Sequence, residues 1–100
     1  MKAYKLVRKL KNGDKAPLFI HQTLRYEEGV TLQAEDRTRK GFASRPGFHC
    51  CFEPHAPHLK QDDSRVWIEV DVEDYVVYDR PSNQGGQWIL AQTMTIVGEI

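Results

Sequence analysis

The stretch Arg65-Val66-Trp67-Ile68-Glu69-Val70-Asp71-Val72 decides how the chain folds. Val66, Ile68, Val70 and Val72 fall on one face of an extended backbone, and Trp67, Glu69 and Asp71 fall on the other. A period of two with β-branched residues on one side is the pattern of a half-buried strand. Tyr75-Val76-Val77-Tyr78 continues or adjoins it. Downstream, residues 80–87 (RPSNQGGQ) read as a loop by composition, and residues 88–97 as a closing strand. On that strand Trp88, Leu90, Met94 and Ile96 are expected on one face, with Ile89, Ala91, Thr93, Thr95 and Val97 opposite.

Upstream, the chain opens as a hairpin. Tyr4, Leu6, Arg8 and Leu10 alternate with Lys5, Val7 and Lys9, and Asn12-Gly13 is the pair that a type I′ turn favours. Residues 17–21 are the expected returning strand, with Pro17 at an edge or at its start because it has no amide to donate. Residues 22–28 suit a turn of helix or a loop, and 29–34 a short strand. Residues 35–45 form a polar stretch carrying Arg37, Arg39, Lys40 and Arg45, ending in an Arg45-Pro46-Gly47 turn. Residues 48–52 make a short aromatic and cysteine-rich strand, and Pro54 and Pro57 limit 53–60 to a turn or one helical turn. No window shows helical periodicity. The expectation is one β-rich α+β domain over residues 1–100: a small twisted antiparallel or mixed sheet with one or two short helices.

Composition narrows the function classes. The chain has 100 residues and equal numbers of basic and acidic side chains, 14 of each. Zero net charge argues against a domain that coats nucleic acid or an anionic membrane. The charge is unevenly spread, with twelve Lys/Arg against six Asp/Glu in residues 1–60 and two against eight in residues 61–100. Either oppositely charged strands face each other across the sheet, or a basic N-terminal surface meets an anionic ligand. The longest uncharged stretch, 81–98, is broken by Ser, Asn, Gln and Gly, which excludes a transmembrane helix. The basic opening MKAYKLVRKL is unlike a signal peptide, and two adjacent cysteines suit a reducing, cytoplasmic setting.

The densest cluster of chemistry-bearing residues is His49-Cys50-Cys51 with His55 and His58. Cys50 and Cys51 point to opposite faces of a strand, so a zinc site would use His49 and Cys51 with one or both of His55 and His58. No second Cys pair closes such a site, and the alternative is a half-buried strand in which cysteine acts as a small hydrophobe. His49 or His58 could also serve as a general base, although no triad or carboxylate pair accompanies either. Tyr4, Phe42, Phe48 and Trp88 beside basic residues would suit a single-stranded nucleic acid, which the zero net charge disfavours. Trp67, on the charged face of its strand, is a candidate interface anchor.

Residues 41–59, GFASRPGFHCCFEPHAPHL, resemble the signature of small phage- and prophage-type proteins. Those proteins also share a YKL-x-R opening strand, an RVW-x-EV strand, an RP-x-x-x-GG-x-W loop and an LAQ-x-M closing strand, all present here. The resemblance spans nearly the whole chain and brings no activity with it.

Gly47-Phe48-His49-Cys50 with Pro54 and Pro57, followed by a strand, a loop and a closing strand, is more distantly similar to the core of ADP-ribosyltransferase-like folds. That likeness implies that Arg8 or Tyr4 on the first strand would hold the nucleotide and that 48–51 would shape the nicotinamide pocket. The family's glutamate before a late strand is missing, since Gln84-Gly85-Gly86-Gln87 stands there. A neutral amide holds a hydroxyl but does not offset developing positive charge. The resulting expectation is an accessory protein that binds a nucleotide-like ligand or a host factor without catalysis. Its expected site gathers Tyr4, Arg8, Arg45, His49, Gln84, Gln87 and Trp88. The alternatives are an interaction module acting on a host protein through residues 35–45, and a divergent transferase.

Overall fold

Two long strands form the axis of the molecule, β5 (Arg65–Asp79) and β6 (Gln87–Glu99), paired antiparallel along most of their length. In this computed structural model the described residues are 1–18, 24–34, 47–55, 63–79 and 86–100. The other described strands are β1 (Lys2–Lys9), β2 (Lys15–Ala16), β3 (Thr31–Gln33) and β4 (Phe48–Cys50). Every pairing is antiparallel, in the order β2-β1-β5-β6-β3, with β4 also on β6. No helix occurs among the described residues, so the mixed sheet and short helices expected above are not found in them.

The sheet is rolled. Beyond β4, Cys51 pairs with Tyr4 of β1: the Tyr4 amide donates to the Cys51 carbonyl at 2.8 Å, and the Cys51 amide donates to the Tyr4 carbonyl at 2.7 Å. Strands β1, β5, β6 and β4 therefore close on themselves. Near the other end of β6, the Tyr26 amide donates to Lys15 of β2, while Gly29 and Val30 bond Ile96. Closure satisfies edge amides and carbonyls that a flat sheet would leave to water.

The β1–β5 ladder shows how alternation divides the side chains. Ala3, Val7, Val66, Ile68 and Val70 enter the main core with Cys50, Val72, Ile89, Ala91, Met94 and Ile96. Leu6 pairs with Trp67 on the other face, where they form a second buried cluster with Cys51. Trp67 is only 8% exposed, so it is a core residue and not the interface anchor suggested by its charged neighbours.

Alternation breaks at two places. Val70 pairs with Ile96 while Glu69 pairs with Gly98, leaving Val97 as an extra, half-exposed residue in a bulge. The second break is at Asp74, whose φ of +51° is in the left-handed region, where Asp is tolerated better than most residues. Val72 and its partner Met94 lie in the core, yet so do Ala91 and Ile89, opposite Tyr75 and Val77. The two strands exchange faces at this corner. The single apolar face expected for 88–97 is thereby corrected: Ile89 and Ala91 join Met94 and Ile96, and Trp88 packs on the second cluster.

The opening hairpin also differs from expectation. Its returning strand is Lys15–Ala16, ending before Pro17, and residues 19–21 lie outside the described residues. Among loop residues Gly13 alone has positive φ, at +92°; the Leu10 amide bonds the Asp14 carbonyl and the Gly13 amide the Leu10 carbonyl. This is a three-residue loop with a glycine bulge, not a type I′ turn.

Part of the charge asymmetry resolves into ion pairs between the two halves. The N-terminal ammonium meets Asp71 at 2.7 Å, Lys2 meets Glu69 at 3.6 Å, and Lys9 and Lys15 both meet Glu99 at 3.2 Å. Hydrogen bonds from Lys9 and then Lys15 hold the Glu99 carboxyl below its ordinary value.

The packing predicts a sharp contrast within one ladder. Ile89 is fully buried and Val76 is 61% exposed. Ile89→Ala should cost about 2–5 kcal/mol, and Val76→Ala less than about 0.5 kcal/mol. Urea unfolding of both variants checks this, and equal losses would refute the assigned faces.

Candidate functional site

The strongest site candidate is the outer face around β4, and Gly47 sets up that strand. Gly47 has φ of +132°, and a Cβ there would sit 2.8 Å from Leu90 Cδ1 and 3.1 Å from the Ala91 carbonyl oxygen. Glycine therefore lets β4 lie close against β6, with Phe48, His49 and Cys50 opposite Ala91, Leu90 and Ile89. Successive β4 residues then diverge. Cys50 enters the main core and Phe48 packs against that core, while Cys51 belongs to the outer cluster.

His49 stands against two aromatic rings on that outer face. Its ring lies edge-to-face with Trp88 at 5.9 Å and 88°, and with Tyr78 at 6.5 Å and 83°. Such T-shaped geometry is favourable for aromatic pairs. Trp88 and Tyr4 both pack on the cluster of Leu6, Cys51 and Trp67, so the aromatic surface is continuous with buried apolar support. From the opposite face of β1, the Lys5 ammonium donates to the His49 carbonyl at 2.9 Å and fixes the β4 backbone.

Three of the seven expected site residues, Tyr4, His49 and Trp88, are thus brought to one region. Arg8 instead donates to the Leu18 carbonyl at 3.3 Å, and Gln87 donates to the Asp79 carboxylate at 3.3 Å where β5 ends and β6 begins. Arg45 and Gln84 lie outside the described residues. Two participants were missed from sequence: Tyr78, which pairs with Trp88, and Lys5. The alternation of Val76 and Tyr78 was visible, but only the β5–β6 register places Tyr78 beside His49.

Among the described residues the cysteines and histidines do not converge as a ligand set. Among the described residues no three His, Cys, Asp or Glu side chains are grouped to hold a metal ion. His55 is exposed, and His58 lies outside the described residues. Burial pushes the Cys50 thiol up to about 11, opposed by Lys5 and reinforced by Cys51. A thiol protonated at neutral pH is a poor nucleophile and a poor metal ligand.

No family model, no curated protein and no solved structure matches the chain. Among the described residues no helix is long and apolar enough to cross a membrane.

Neither cysteine is in a disulfide, and both are buried, at 0% and 3% exposure. They should resist a disulfide reagent at pH near 8 and react fully only in denaturant, because unfolding must precede attack. Stoichiometric labelling of the folded protein on mixing would contradict this arrangement.

Proposed function

We propose that the chain is a non-catalytic binding domain whose ligand stacks on the outer aromatic face around His49 and Trp88. The observation that carries this reading is the contact of His49 with both Trp88 and Tyr78, beside Tyr4 and over a buried apolar floor. Half-buried aromatic rings held by packing offer flat surfaces at little entropic cost. Stacking a base on such a ring contributes about 1–3 kcal/mol. A nucleotide-like ligand fits this chemistry better than a purely anionic one, because Arg8 and Lys5 already donate to backbone carbonyls.

The proposal extends to the finer fold and source: a phage-type accessory protein with an α+β core of ADP-ribosyltransferase type, stripped of its catalytic glutamate. Support comes from the position of β4, the resembled pocket segment, beside Tyr4 of the first strand. Gln87, at the start of the closing strand, stands where a carboxylate would be required for transfer chemistry.

Thermal unfolding against NAD, ADP-ribose, cyclic nucleotides and short RNA tests the reading, with zinc and EDTA as controls. A ligand at about 100 times its Kd adds roughly 2.7 kcal/mol, and each kcal/mol moves Tm by about 4–8 °C, so a true ligand should raise Tm by more than ~10 °C. His49→Gln should abolish most of that shift, measured against the variant's own unliganded Tm. A panel with no shift in the intact protein would overturn the reading, and nicotinamide release from NAD would overturn its non-catalytic part.

A further inference from the structure

The loop of the opening hairpin holds a different chemistry. Asn12-Gly13 sets a side-chain amide beside a backbone nitrogen that no Cβ shields, the arrangement in which asparagine closes on the following residue. The Gly13 nitrogen bonds to Asn12 Cγ, the Cγ–Nδ2 bond breaks, and ammonia leaves with the proton from the Gly13 nitrogen. Water then opens the cyclic imide. Attack at Cγ leaves aspartate on an unchanged main chain. Attack at the main-chain carbonyl leaves isoaspartate, whose main chain runs through Cβ and Cγ. Water is the only co-reactant. Asn12 and Asp14 are exposed, and a Cβ at Gly13 would meet nothing within 4 Å, so water reaches the loop and no packing covers it. The chain's other asparagine, Asn83, precedes Gln84, and a following residue with a Cβ hinders the same closure.

Hydrogen bonds occupy the groups that closure would use. The Gly13 amide donates to the Leu10 carbonyl at 2.9 Å, the Asp14 amide donates to Asn12 Oδ1 at 3.0 Å, and Asn12 Nδ2 donates to Asp14 Oδ2 at 3.1 Å. Closure must break the first and turn the Asn12 side chain out of the other two. The same loop fixes β2. The Leu10 amide donates to the Asp14 carbonyl at 2.8 Å, which sets Lys9 opposite Lys15 and Arg8 opposite Ala16. Lys15 then reaches Glu99 at 3.2 Å, and its carbonyl accepts from the Tyr26 amide at 2.8 Å. An extra main-chain atom at position 12 does not fit a three-residue loop, so isoaspartate there forfeits that register. We propose that Asn12-Gly13 is a self-modification site, held shut by the folded loop, whose isoaspartate product unpairs β2 from β1 and from the Tyr26 backbone. This goes beyond the ligand reading, since it needs no occupant on the His49 face.

The test incubates the full chain in warm, mildly alkaline buffer with and without guanidinium chloride. Isoaspartate is counted by enzymatic methyl transfer from labelled S-adenosylmethionine and located by peptide mapping. It should accumulate at position 12 at least about tenfold more slowly in the folded protein than in denaturant, because reaction must wait for the loop to open. Asp14→Ala removes the Asn12 Nδ2 acceptor and a 3.9 Å contact to Arg25. It should speed the folded reaction about threefold or more and leave the denatured rate nearly unchanged. Asn12→Gln should give no label at position 12 in either condition. In the converted protein, hydrogen exchange should speed up at the Leu10 and Tyr26 amides while the β5–β6 ladder stays protected. Equal rates in the folded and denatured chain, label mapping chiefly to another position, or unchanged exchange at Leu10 and Tyr26 after conversion would overturn the proposal.

Discussion

Two hydrogen bonds between Tyr4 and Cys51 hold the rest of the structure in place. They join the end of β4 to the middle of β1 and turn a sheet with open edges into a rolled one. The consequences reach both faces. With Cys51 held on β1, Cys50 must enter the main core, and His49 must lie outward against Trp88 and Tyr78. The main core then has walls of β1, β4, β5 and β6, and its members Val70, Val72, Ile89 and Met94 are fully buried. The outer cluster of Leu6, Cys51 and Trp67 covers the seam from the other side.

A rolled sheet of this size needs sharp local adjustments, because a regular ladder cannot keep one face buried around a tight curve. The Val97 bulge and the positive φ of Asp74 supply them. The Asp74 corner has a functional side effect. By exchanging the faces of both long strands, it lets Ile89 and Ala91 complete the core and directs Trp88 to the outer cluster that supports His49. The same corner lies where β5 parts company with β1, leaving Tyr75, Val76 and Val77 exposed. One irregularity thus lets a single ladder pair core residues, Ile89 and Ala91, with the exposed Val77 and Tyr75.

Local patterns in the sequence carried much of this architecture. The alternation of Val66, Ile68, Val70 and Val72 correctly named one wall of the core, and the opposed faces of Cys50 and Cys51 followed from the same period. The opposite charges of the two halves do meet in places, as Lys2 with Glu69 across the β1–β5 ladder and Lys9 and Lys15 with Glu99 show. Three features depended on contacts distant in sequence and were not legible. Trp67 looks exposed beside Glu69 and Asp71 until Leu6 and Cys51 arrive to cover it. Asn12-Gly13 is compatible with two loop lengths, and the bond between the Leu10 amide and Asp14 decides between them. The face exchange at Asp74 breaks any alternation read across it. Of the candidate site, the meeting of His49 with Trp88 was within reach, whereas the role of Tyr78 required the register of two strands.

The account stands or falls on closure at Tyr4 and Cys51, and native-state hydrogen exchange measures it directly. Amides in a closed ladder open only with the surrounding sheet, so the Tyr4 and Cys51 amides should exchange as slowly as those of β1 bonded to β5. Rapid exchange at both positions, with the β1–β5 ladder still protected, would mean an open sheet and would remove the scaffold that places His49 against Trp88.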